Sequence, residues 1–207
     1  MFMNVKKGNL FIRIGLLLIV AALLLTVYNI WADKRAGKAS REALDTLIGQ
    51  IESSRENSLD NKTANNEPLY ERYPEMDMPH INIDGKDYIG ILKIDSLGLE
   101  LPVKGDFSYK GLKEAPCRYV GSVYTDDMII AGHNFARHFG GLKNIGTGDE
   151  LSFTDSEGNV FLYRVTEILQ INGTDVEGMK SGKWDLTLFT CTISGRNRIA
   201  VRFERVK

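Results

Sequence analysis

The chain has 207 residues, with 26 lysines and arginines against 27 aspartates and glutamates, for a formal net charge of −1. Balanced charge with no long basic stripe leaves no electrostatic footprint for nucleic acid, so none is expected as a partner. The length suits one medium domain plus extensions.

The N-terminus departs from the average at once. Met1–Arg13 carries Lys6, Lys7 and Arg13 with no acidic residue, and Ile14–Trp31 then carries no charge at all. Eighteen helical residues at about 1.5 Å each span roughly 27 Å, close to the ~30 Å hydrocarbon core of a bilayer. Tyr28 and Trp31 sit at its far end, where amphipathic rings favour the interface. The run is longer than a signal-peptide core and no small-residue cleavage site follows cleanly, so an uncleaved anchor is expected. Lys34, Arg35 and Lys38 follow closely, so charge on the two flanks nearly balances and does not orient the segment.

Ala39, Leu44, Leu47 and Ile51 recur at roughly helical spacing within residues 36–54, which fits a stalk. Arg55–Glu67 is polar throughout and reads as a flexible linker. Pro68, Pro74 and Pro79 punctuate an extended lead-in, with a turn expected at Asp84–Gly85. The expected organisation is therefore an N-terminal tail over 1–13, a transmembrane anchor over 14–31, stalk and linker over 32–79, and a globular domain over 80–207.

From Tyr88 onward the pattern is that of β-structure. Short apolar or alternating runs lie at 88–94, 99–103, 127–133, on both sides of the Asp-Ser-Glu-Gly-Asn turn at 155–159, at 184–192 and at 197–206. Close-spaced short strands argue for an all-β sandwich or closed barrel. One short helical turn is expected within 135–148.

The chemistry-bearing inventory is small: Cys117 and Cys191, with His80, His133 and His138. Without Cys-x-x-Cys or His-x-x-x-His spacing, no metal site and no cofactor is expected. Glu114, Asp126 and Asp127 lack calcium-ligand spacing and read as loop charges. Cys191 ends an apolar strand, and three readings compete for it: a packed thiol, half of a Cys117–Cys191 disulfide, or a nucleophile. A nucleophilic cysteine needs an imidazole for proton traffic and a donor for the oxyanion. His133 ends the Met-Ile-Ile-Ala-Gly run, and Arg196, Arg198 and Arg202 follow Cys191 at a spacing that a hairpin would fold back beside it. The three arginines share strand parity, so alternation does not choose among them; Arg198 is the one that opens the apolar alternation Ile199, Val201, Phe203.

Thr187–Cys191, Thr-Leu-Phe-Thr-Cys, resembles the Thr-Leu-x-Thr-Cys motif of the sortase family. Ile-Ile-Ala-Gly-His-Asn at 129–134 is similar to the family's histidine segment, and Asn-Arg-Ile-Ala-Val-Arg at 197–202 to its arginine strand. The resemblance runs over about residues 88–207. It implies an eight-stranded β-barrel with short helical turns behind an N-terminal transmembrane helix, and a membrane-anchored cysteine transpeptidase. Cys191 would be the nucleophile, His133 the acid and base, Arg198 the oxyanion and substrate contact, and Thr190 a further contributor to the substrate site. Substrates would be secreted proteins bearing a C-terminal Leu-Pro-x-Thr-Gly-like signal, cut between Thr and Gly. The acceptor would be an amine of a lipid-linked peptidoglycan precursor or a pilin lysine. Location would be the cell membrane, single-pass, with the catalytic domain outside. The segment between Phe161 and Trp184 is too short for a class B insertion and no class C lid motif precedes the barrel, which leaves a class D-like or related member. The alternatives are a tethered cysteine peptidase that hydrolyses without transfer, and a catalytically silent surface-binding domain. Cys117 matches no motif position and His80 and His138 are expected to face solvent.

Overall fold

The computed structural model describes residues 5–60, 67–180 and 182–206. The chain divides after Arg35 into two compact units. The first is the apolar part of a long helix, α1 (Val5–Asp60). Leu16, Leu17, Leu18, Leu23, Leu24 and Leu25 all stand exposed on it, and the helix contains a stretch long and apolar enough to cross a membrane. Leucines on every side of a helix suit a lipid surround rather than water.

In the second unit nine strands form one sheet: β1 (Ile81–Ile83), β2 (Lys86–Ile94), β3 (Leu99–Lys104), β4 (Cys117–Val120), β5 (Met128–Gly132), β6 (Glu150–Asp155), β7 (Val160–Asn172), β8 (Leu186–Cys191) and β9 (Asn197–Arg205). Their order is β1-β2-β3-β4-β5-β8-β9-β7-β6, and β6 pairs back onto β2. That pairing closes a ring of eight, β2 to β9, so the expected eight-stranded barrel is present. Strand β1 is an extra arm paired with Lys86–Tyr88, below the seam where Gly90–Lys93 meets β6. Gly90 makes the seam possible, because a Cβ there would run into the Thr154 carbonyl and the Phe153 ring.

Period-two alternation fills the barrel. Phe161, Tyr163 and Val165 of β7, Leu151 and Phe153 of β6, Leu186 and Leu188 of β8, and Val201 and Phe203 of β9 share one core. Two strands exceed expectation: β1 and β4 have three and four residues, too short for alternation to reveal. A 3-10 turn at Phe139–Asn144 occupies the region where a helical turn is expected. Short helices α2 (Leu69–Arg72) and α3 (Val176–Lys180) complete the unit.

The stalk reading changes most. Residues 55–60 continue α1 rather than opening a linker, and 61–66 lie outside the described residues. Within the second unit the helix is docked rather than free-standing. Ala43, Leu44, Leu47 and Ile51 are buried against Tyr88, Ile91 and Ala115 on the barrel's outer surface. Gly37 leaves no room for a Cβ against the Arg137 side chain, which follows β5. Burying four apolar side chains at roughly 1 kcal/mol or more each gives the helix a reason to persist beyond its propensity.

Candidate active site

Cys191 and Arg198 share one cavity on the barrel's outer face, and His133 follows the neighbouring strand β5 on the same parity. Cys191 is the last residue of β8 and pairs in register with Arg198 of β9, as Phe189 pairs with Ala200 and Thr187 with Arg202. Strands β5 and β8 run parallel, ending on the pair Gly132–Thr190. One residue further along each strand come His133 and Cys191. Neighbouring positions on paired strands share a face, so the topology sets imidazole, thiol and guanidinium side by side. Of the three downstream arginines, Arg198 is the one paired with Cys191; Arg196 is exposed in the turn and Arg202 is buried at 3% exposure.

The Thr192–Asn197 turn is tied by Thr192 N–H to Asn197 O at 2.9 Å and by Gly195 N–H to Thr192 O at 2.9 Å. Arg198 lies back over it, donating from Nη1 to Gly195 O at 2.9 Å and to Asn197 O at 3.2 Å. Gly173 leaves space for that guanidinium, since a Cβ there would sit 3.0 Å from Nη1. Both cysteines are free thiols, which removes the disulfide reading: Cys117 is buried and Cys191 half-buried. Burial pushes the Cys117 thiol up, and its Sγ donates to Ala115 O at 3.5 Å.

His133 is half-buried and its ring stacks on Phe135, with centroids 3.8 Å apart and planes 14° from parallel. Its Nδ1 is buried with no hydrogen-bond partner. Burial, helped by the positive charge of Lys113, holds the imidazole below its ordinary value, while the Asn134 side chain works the other way.

A cavity of about 220 Å³ leads to Cys191. Its floor includes Ala131, Phe189 and Arg198, one wall is Phe107, Tyr109, Leu112 and Tyr119, and the other is Val176 and Met179 of α3 with Gly173 and Asp175. Tyr119 meets Phe107 at 5.3 Å and Phe189 at 5.6 Å, both edge to face. Arg202 fixes the second wall. It donates from Nη1 to Met179 O and Thr187 Oγ1 and from Nη2 to Gly178 O, each at 2.8 Å.

Two sequence expectations are corrected. Thr190 is 2% exposed and has the parity of Leu186 and Leu188, so its side chain enters the barrel on the face opposite Cys191 and does not line the cleft. His138 is fully buried rather than solvent-facing. The loop acids, read from the sequence as solvated loop charges, are tied into the structure: Glu114 pairs with Lys104 and Lys86, Asp126 with Arg205, and Asp127 accepts from Ser122 N–H and Thr125 Oγ1. Among the described residues no group of three His, Cys, Asp or Glu side chains is placed to hold a metal. The aromatic wall was missed in sequence, although Phe107 and Tyr109 at a spacing of two are its one visible trace.

Comparison with known proteins bears on this arrangement. The Sortase domain profile matches residues 92–206, which contain His133, Cys191 and Arg198. Sortase A of Bacillus anthracis is 28% identical over 121 residues, covering 56% of this chain and 57% of that protein. The chain thus matches little more than half the length of this curated relative. A Clostridium perfringens Sortase D5 transpeptidase superposes with a TM-score of 0.59 at 17% identity, over 82% of this chain and 99% of that one. Clostridium perfringens sortase C, solved with the C-terminal cell wall sorting motif, gives 0.53 at 21% identity, over 80% and 90%. These two likenesses establish the shared barrel.

Proposed function

From the premise that the chain belongs to the sortase family, we propose that it is a cysteine transpeptidase with Cys191 as nucleophile, His133 as proton carrier and Arg198 as oxyanion and substrate contact. The observation that carries this reading is the Cys191–Arg198 register pair next to the parallel β5–β8 ladder that ends one residue before His133. The substrate is a secreted protein with a Leu-Pro-x-Thr-Gly-like C-terminal signal. The largely apolar, aromatic-walled cavity suits its Leu-Pro portion.

The Cys191 thiol gives its proton to His133 as its sulfur attacks the Thr–Gly carbonyl carbon, and the developing oxyanion faces the Arg198 donors. The C–N bond then breaks as His133 gives its proton to the departing glycine amine, leaving a thioester on Cys191. An incoming amine adds to the thioester, His133 takes the proton it sheds, and the thiolate leaves with a new amide formed. The acceptor is an amine of a lipid-linked peptidoglycan precursor or a pilin lysine. The apolar part of α1 is a single-pass anchor over residues 14–31, with the catalytic domain on the extracellular face; the tail takes 1–13 and the catalytic portion 80–207, and 32–79 joins them through a helical stalk that docks on the barrel before the linker begins.

The test incubates the full-length protein in detergent micelles with a sorting-signal peptide, with and without an added amine. The expected result is a Cys191-linked thioester and, with amine present, an amide product that outweighs free acid. Cys191→Ala abolishes both. Acid alone at saturating amine would establish a hydrolysing peptidase instead, and an unreactive Cys191 a silent binding domain.

A further inference from the structure

An imidazole that must give and then take a proton needs its plane fixed while its nitrogens stay available. A hydrogen bond at one ring nitrogen is the common solution. At His133 the Asn134 side chain bonds the ring from the adjacent residue, while the buried Nδ1 meets no partner. What the ring does have is a flat neighbour: Phe135 lies against it at 3.8 Å between centroids and 14° between planes. Resting on the proposed function above, we propose that Phe135 is a positioning residue, a plate that sets the plane of the His133 ring for proton transfer.

The backbone around Phe135 is built to hold such a plate. Residues 133 and 135 lie two apart in a segment without helix, the spacing that brings alternate side chains onto one face. The Phe135 carbonyl accepts two amides, His138 N–H and Gly140 N–H, each at 3.0 Å. The His133 carbonyl accepts Phe139 N–H at 3.1 Å, which closes the loop on itself. Gly140 permits this fold, since a Cβ there would lie 2.7 Å from the Phe135 and Asn134 carbonyl oxygens. Gly132 does the same at the other end, where a Cβ would strike the Phe139 ring. Phe135 also neighbours the buried His138 ring, tilted by 54° with centroids 5.8 Å apart. The phenyl ring therefore has little freedom to slide, and the imidazole stacked on it inherits that order.

Stacking restrains a ring's tilt and leaves its in-plane edge free, and the edge is where the nitrogens exchange protons. A plate thus fixes the ring's plane while its edge protonates a leaving amine and then deprotonates an incoming one. The face of a phenyl ring also tolerates the imidazolium that donates the first proton and re-forms when the second is taken.

The test uses the full-length chain in micelles and four variants: Phe135→Leu and Phe135→Met, which keep bulk and lose the plate, and Phe135→Tyr and Phe135→Trp, which keep it. With a Leu-Pro-x-Thr-Gly peptide and saturating amine, the leucine and methionine variants are expected to lose about ten-fold or more in kcat with KM within about two-fold, while tyrosine and tryptophan hold kcat within about three-fold. The His133 Cε1 proton resonance, assigned by its absence in His133→Gln, is expected to move downfield in the leucine and methionine chains as the ring current is lost, and to stay upfield in the tyrosine chain. Equal kcat in leucine and wild-type chains, equal damage in tyrosine and leucine chains, or an unmoved resonance would each overturn the proposal. A wild-type chain that never acylates on Cys191 would instead refute the functional reading, and the resonance would still decide the stack.

Discussion

The outer face of the β8–β9 ladder has two ends that differ in one respect. At the Thr187–Arg202 end, α3 lies over the strands and Arg202 is 3% exposed, its guanidinium held by the Met179 and Gly178 carbonyls and the Thr187 hydroxyl. At the Cys191–Arg198 end both residues stay part-exposed, and Arg198 donates to the Gly195 and Asn197 carbonyls of its own turn. Same strands, same face, same residue type: cover makes Arg202 a staple, and its lack leaves Arg198 open for the proposed oxyanion role. A guanidinium whose partners are turn carbonyls can exchange them for a developing oxyanion, whereas one that braces a helix cannot.

The open end should show the larger effect on chemistry. Arg198→Ala is expected to lower kcat by about 10²–10³ with little change in thermal midpoint, and Arg198→Lys to recover little of it because an ammonium lacks the planar fork. Steady-state kinetics beside a melting curve measures both. A kcat within a few-fold of wild type would give the oxyanion role to another donor.

The covered end should show the reverse. Arg202→Met removes three hydrogen bonds, the buried one to the Met179 carbonyl among them, a loss of about 1–3 kcal/mol. In a unit of this size that is roughly 3–10 °C in melting temperature. Activity should fall less than in Arg198→Ala, through KM, because Met179 and Val176 line the substrate cavity. A melting temperature unchanged by Arg202→Met would mean that α3 is held by other contacts.

How much of this was legible depends on what decides each feature. The long strands announce themselves because one face of each fills the barrel, as Phe161, Tyr163 and Val165 do on β7. The short β4 does not, since four residues with one fully buried member carry no period. Cys191 and His133 stand out as polar residues ending apolar runs. The choice of arginine was not legible, because Arg196, Arg198 and Arg202 share parity and only hairpin register separates them. Thr190 misled for a related reason: adjacency in a strand means opposite faces, so the neighbour of the nucleophile turns inward. The docking of α1 was hidden because half of its buried face is small, with Ala36, Ser40 and Ala43 beside Leu44, Leu47 and Ile51.

Proton linkage offers a subtler contrast between the ends. Burial holds His133 below its ordinary value of 6.5. The unfolded chain therefore binds the proton more readily than the folded one below about pH 6.5. Stability falls as pH drops from there through the folded value, and is independent of this group above it. His133→Gln is expected to flatten the melting temperature's pH dependence in that acid window. A slope unchanged by the substitution would show that the ring is not held neutral by its surroundings.

The smallest effect belongs to the other cysteine. Cys117 begins β4 as Cys191 ends β8, yet it is fully buried, its thiol raised by that burial, and it lies behind the wall rather than in the cleft. Alkylation of the native protein near neutral pH should modify one thiol, Cys191, with Cys117 reacting only after denaturation. Cys117→Ala should leave turnover within about two-fold of wild type and cost about 1 kcal/mol, the loss of a packed sulfur from a site that alanine nearly fills. If Cys117 reacts first, or if its loss removes activity, then cover does not separate a structural thiol from a reactive one in this sheet, and the contrast between the two arginines loses its physical basis as well.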